Sequence, residues 1–144
     1  MIEAQNAKPV QIIRPVSLNN ATATSLIVDT RGWSYADVQI SVGASAGTLT
    51  ALKLQEDDAA DGNTATDITG AAFTGSDLPS TDSDGDMLSI KLPLGGSRKR
   101  YLKLVATEGN TGAMLIGATV QLSRGAEAPD SATERGYAAE VIIE

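Results

Sequence analysis

The stretch Ala36-Asp-Val-Gln-Ile-Ser-Val42 decides the fold class. Ala36, Val38, Ile40 and Val42 are apolar, and Asp37, Gln39 and Ser41 between them are polar. Side chains of a strand alternate between two faces, so this run offers one apolar face to a core and one polar face to water. The same period recurs downstream. Leu88, Ile90 and Leu92 alternate with Met87, Ser89 and Lys91. Leu102, Leu104 and Ala106 alternate with Tyr101, Lys103, Val105 and Thr107. Ile116, Ala118, Val120 and Leu122 alternate with Gly117, Thr119, Gln121 and Ser123. None of these runs holds the i, i+3, i+4, i+7 spacing of an amphipathic helix.

Adding weaker runs places strands near 9–16, 24–30, 33–42, 48–56, 64–69, 86–93, 99–107 and 113–123, with a last one over 137–143. Leu94-Gly-Gly-Ser97 and Glu108-Gly-Asn-Thr-Gly112 read as hairpin loops, because Gly and Asn supply positive φ. Eight or nine short strands at this spacing predict an all-β, single-domain antiparallel sandwich or barrel, jelly-roll-like, with the strand order left open. The polar residues 1–8 are expected as an N-terminal arm, and 9–144 as one domain. Residues 57–86, rich in Asp, Gly, Ser and Thr, form the longest loop-like stretch.

Composition narrows the chemistry. The 144 residues suffice for one full core. There is no Cys and no His, so disulfides, thiolate sites and a Ser–His–Asp triad are excluded within this chain. The net charge of −7 disfavours nucleic acid and anionic membranes as partners. Met1 to Lys8 lacks the layout of a signal peptide, and no apolar run approaches ~18 residues, so a soluble product of the cytoplasm is expected.

Four features are candidates for function. Asp82-Ser-Asp-Gly-Asp86 sets the three carboxylates of Asp82, Asp84 and Asp86 two residues apart around a Gly, the kind of hard oxygen set that Ca²⁺ takes. The stretch fails the EF-hand pattern, because Gly85 is at its fourth position and Pro93 at its twelfth, and a solvated turn is the simpler reading. No cofactor is expected. Charge is unevenly distributed: no base lies between Glu56 and Asp86, and no acid lies between Lys91 and Lys103. A basic hairpin at Arg98, Lys99 and Arg100 can register against an acidic neighbour or stay solvated. Trp33 and Tyr35 read as a core plug or as a small stacking surface for a glycan. A carboxylate-pair hydrolase would need a raised-pKa acid and aromatic platforms that this chain does not offer, so no enzyme is expected.

Thr50-Ala-Leu-Lys-Leu-Gln-Glu-Asp-Asp58, then Gly62, then Thr66-Asp-Ile-Thr-Gly-Ala-Ala72 resembles small accessory structural proteins of tailed-bacteriophage particles. Arg98-Lys-Arg-Tyr-Leu-Lys-Leu-Val-Ala106 is similar to the basic-flanked strand that follows in that group, and Trp33 to Ile40 fits its opening. The resemblance spans about residues 33–123. It implies a virion component made in the bacterial host cytoplasm, and within that group a head decoration (cement) protein on the capsid exterior, often a trimer, that fastens major capsid subunits. No catalytic residue carries over. The contact candidates are the N-terminal segment, with Ile2, Lys8 and Pro9, and Arg98, Lys99 and Arg100. The rival readings are a head–tail connector, tail or fibre-base protein, and a carbohydrate-binding β-sandwich.

Overall fold

The computed structural model describes residues 6–126 and 131–141. Eight strands form: β1 (Ala7–Leu18), β2 (Val28–Asp29), β3 (Tyr35–Ser45), β4 (Leu49–Asp57), β5 (Thr66–Phe73), β6 (Met87–Pro93), β7 (Tyr101–Glu108) and β8 (Met114–Ser123). They make two four-stranded antiparallel sheets, ordered β1-β8-β3-β6 and β2-β7-β4-β5. The strands of β1/β8, β2/β7, β3/β6 and β4/β5 pair with each other. The chain is thus one long hairpin, reversed between β4 and β5 and then wound so that successive arms fall in different sheets. That winding is an eight-stranded jelly roll.

The alternation explains the core. Ala36, Val38, Ile40 and Val42 of β3 and Met114, Ile116, Ala118, Val120 and Leu122 of β8 are buried on one sheet. Leu52 and Leu54 of β4 and Leu102, Leu104 and Ala106 of β7 are buried on the other. Aliphatic side chains from both inner faces fill the space between the sheets, which is how a sandwich gains its hydrophobic free energy.

Asp57 holds β4–β5, the one hairpin of sequential strands within a sheet among the described residues. It is 2% exposed and accepts hydrogen bonds from Ala59 N (3.0 Å), Thr64 N (2.9 Å) and Thr64 Oγ1 (2.7 Å). These donors hold its carboxyl below the usual carboxylate range, despite the opposing effect of burial.

Four sequence expectations are corrected. The loops 94–97 and 108–112 are not hairpins, because each carries the chain from one sheet to the other. Gly and Asn serve a crossing arch as well as a reversal, so composition could not separate the two. The expected strand 24–30 shrinks to Val28–Asp29. The segment ahead of Val28 touches both sheets in turn, through single bridges Thr22–Thr107 and Ser25–Ile13, and so forms no continuous ladder. The strand expected over 64–69 runs on to Phe73, with a register shift and Gly70 at φ +83°. The strand expected over 137–143 is absent from 137–141: a turn over 131–136 precedes it, closed by Tyr137 N to Ala132 O (2.9 Å) and followed by the Arg135–Glu140 ion pair. Residues 142 and 143 lie outside the described residues.

Candidate functional site: the arch end of the sandwich

Ala7 pairs with Ser123, Ser123 with Tyr35, and Tyr35 with Pro93, so the start of β1, the end of β8, the start of β3 and the end of β6 share one end of the molecule. The arch 94–100 and the turn 30–34 close the same end, since they lead into β7 and β3. The fold therefore gathers Lys8, Arg31, Arg98, Lys99, Arg100 and Arg124 from four separate segments. At the opposite end, the connections 74–86 and 108–113 carry Asp77, Asp82, Asp84, Asp86 and Glu108 and no base. The β4–β5 hairpin, with Asp57, Asp58 and Asp61, closes the first end as well, beside Asp29 and Glu56, so that end carries both signs while the opposite one carries acids alone.

The expected contact residues fall as follows. Lys8 and Pro9 lie inside β1, opposite Leu122 and Gln121, rather than in or beside an arm. The C-terminal turn packs on them, with Gly136 so close to Pro9 O that a Cβ there would collide. Ile2 lies outside the described residues, as do the rest of residues 1–5.

Arg98, Lys99 and Arg100 are each held by the chain itself. Glu56 Oε2 accepts from Lys99 N (3.1 Å) and pairs with Arg98 (3.5 Å). Lys99 Nζ donates to Thr66 Oγ1 (3.4 Å). Arg100 grips Asp29 with two parallel bonds, Nε to Oδ1 (2.8 Å) and Nη2 to Oδ2 (2.7 Å), the bidentate geometry a guanidinium favours. Its guanidinium also lies 5.0 Å from the Tyr101 ring centre. The Arg100 bonds hold the Asp29 carboxyl below its ordinary range, and Asp29 raises the Arg100 guanidinium in turn. Such pairs are too exposed to add much stability. They fix where the side chains point. Glu56 and Asp29, the residues that organise the basic arch, were missed in the sequence because they are 43 and 71 residues from their partners.

Asp82, Asp84 and Asp86 are exposed and do not converge. Among the described residues no group of three or more carboxylates is placed to hold a metal ion. The loop is organised by backbone bonds instead, Gly85 N to Val42 O (3.0 Å) and Val42 N to Asp86 O (2.9 Å). Trp33 packs partly buried against the core, as the core-plug reading expects, and Arg124 lies 5.7 Å from the Tyr35 ring centre.

Glu108 is a polar hub that the sequence reading did not single out. It is 1% exposed and accepts bonds from Asn20 N, Asn110 N (3.0 Å), Thr111 N (2.8 Å) and Thr111 Oγ1 (2.6 Å). Those donors, Thr111 Oγ1 foremost, lower its carboxyl to about 2. The available signal was Glu108-Gly-Asn-Thr111 itself, an acceptor followed by a Gly-containing loop that ends in a donor.

The fold defines the class, an antiparallel jelly-roll β-sandwich. No protein-family model matches the chain, and no curated protein matches it.

Proposed function

We propose that this chain is a non-enzymatic virion protein of a tailed bacteriophage, a capsid decoration protein. It binds the exterior of the shell, associates with itself as a trimer, and stabilises contacts between major capsid subunits. One observation carries the reading. The three separated segments of the phage-type resemblance become three adjacent strands. Ala51-Leu-Lys-Leu-Gln-Glu56 lies in β4, Asp67-Ile-Thr-Gly-Ala71 in β5 and Tyr101-Leu-Lys-Leu104 in β7. Asp67 accepts from Lys53 Nζ (2.8 Å) and Gln55 Nε2 (2.7 Å), and Glu56 holds the segment before β7. The resemblance thus follows one continuous structural unit rather than scattered matches.

In this mechanism the end that carries Arg98, Lys99 and Arg100 faces the shell and the opposite, acidic end faces solvent. Each copy bridges neighbouring shell subunits, so breaking the shell also requires breaking its contacts. Several copies around a symmetry point raise apparent affinity without a strong single contact.

Lys99→Glu/Arg100→Glu is expected to lower occupancy on expanded shells by roughly tenfold or more at moderate salt, the scale of reversing two interfacial charges. Co-sedimentation measures it, with thermal unfolding of the variant as the control, because Arg100 also holds Asp29. Unchanged occupancy would remove the arch from the interface.

A further inference from the structure

The two edges of the sheet β1-β8-β3-β6 carry opposite charges that find no ion-pair partner among the described residues. On the β6 edge, Asp86 immediately precedes the strand, and Asp77, Asp82 and Asp84 lie in the connection leading to it. None of these four carboxylates has an ion-pair partner among the described residues. Met87, the first residue of β6, is 63% exposed. On the β1 edge, Arg14 is exposed and equally unpaired, beside the exposed Pro15.

The two patches lie at the same level of the sheet. Met87 pairs with Ser41 and Ser41 with Gly117, while β1 shifts register across Arg14 and Pro15 between its pairs with Ala118 and Ile116. Each strand of this sheet is antiparallel to its neighbour, so β1 runs opposite to β6. A copy related by rotation about an axis along the strands therefore brings its β1 edge, antiparallel and level, against the β6 edge of the first.

We infer that copies of this chain associate head to tail, Asp86 and Met87 of one against Arg14 and Pro15 of the next, and that the contact closes into a ring. A heterologous contact closes when its axis adds no rise and its rotation divides the circle; equal height of the two patches meets the first condition, and a rotation of a third of a turn, the trimer, meets the second. The joint is made by side chains. Pro15 and the register shifts of β1 interrupt one edge, and Pro93 removes an N–H from β6, so neither edge supports a long backbone ladder. The inference rests on the self-association in the proposed function and names its surface. Rotation about the strand axis sets the Arg98–Arg100 arch of every copy on one face of the ring.

Light scattering and native mass spectrometry test this on the full chain, as wild type, Arg14→Glu, Asp86→Arg and the double variant carrying both. The wild type is expected to be a trimer that weakens with salt. Each single variant puts like charges in contact and is expected to raise the dissociation constant roughly tenfold or more. The double variant restores opposite charges and is expected to recover the trimer. A wild type that stays monomeric, single variants with unchanged mass, or a double variant that fails to recover would each overturn the inference. Shell binding is read separately: intact rings that ignore expanded shells would contradict the decoration role and leave this interface standing.

Discussion

Leu104→Ala is expected to destabilise the protein by about 2–5 kcal/mol, the range for truncating a fully buried leucine when the cavity only partly collapses. Leu104 is 0% exposed, in β7, opposite Leu54, which is also 0% exposed. A domain of this kind is stable by roughly 5–15 kcal/mol, so one substitution removes a large share. At about 3 °C per kcal/mol, the melting temperature is expected to fall by roughly 6–15 °C. Leu115→Ala serves as the contrast. Leu115 points outward from β8 and is 44% exposed, so its loss is expected to cost little, within about 1 kcal/mol. Differential scanning calorimetry separates the two. Equal losses would mean that the inner and outer faces have been assigned wrongly.

The second large effect is on acid stability. Glu108 titrates at about 2 in the folded protein, below its ordinary 4.5. The folded state therefore holds this proton more weakly than the unfolded chain does. Its stabilising contribution is complete above pH ~4.5 and is lost as pH falls towards ~2. Asp29, Asp57 and Asp67 are lowered in the same direction, Asp29 chiefly by the Arg100 hydrogen bond, Asp57 by the Ala59 N–H and Asp67 by the Lys53 hydrogen bond. Urea unfolding is expected to show a falling midpoint from pH 4.5 to pH 2. Glu108→Gln is expected to lower the midpoint at pH 7 and to flatten that fall, because an amide neither titrates nor accepts from all four donors. A variant whose midpoint tracks the wild type in parallel at every pH would show that Glu108 is not the group responsible.

The sequence carried the strands better than their arrangement, for a physical reason. Alternation is local, so Ala36 to Val42, Leu102 to Ala106 and Ile116 to Leu122 could be assigned to a buried face with no knowledge of their partners. Pairing is not local. β1 meets β8 across the whole chain, and nothing within Ala7–Leu18 encodes Met114–Ser123 as its neighbour. The arches 94–97 and 108–112 carry the same Gly and Asn that a hairpin would use, and their role is set by which sheet the next strand joins. The candidate site was legible in part. Arg98, Lys99 and Arg100 stood out as consecutive bases, but the clasp on them by Glu56 and Asp29 depends on tertiary pairing. Lys8 was singled out as the end of a polar arm and Pro9 as the first residue of the strand beyond it, and the structure starts that strand at Ala7, so both lie inside it. The gathering of Lys8, Arg31, Arg98–Arg100 and Arg124 follows from the winding, which returns the starts of β1, β3 and β7 and the end of β8 to the same end, together with the acidic β4–β5 hairpin.

The most direct test of the decoration role is binding of the wild-type protein to expanded shells of its major capsid protein, followed by cryo-electron microscopy of the particles. The account predicts saturable density on the outer surface, repeated at symmetry-related sites, with the Lys8 and Arg98–Arg100 end against the shell. Bare shells at saturating protein, or density confined to the neck or tail, would contradict it.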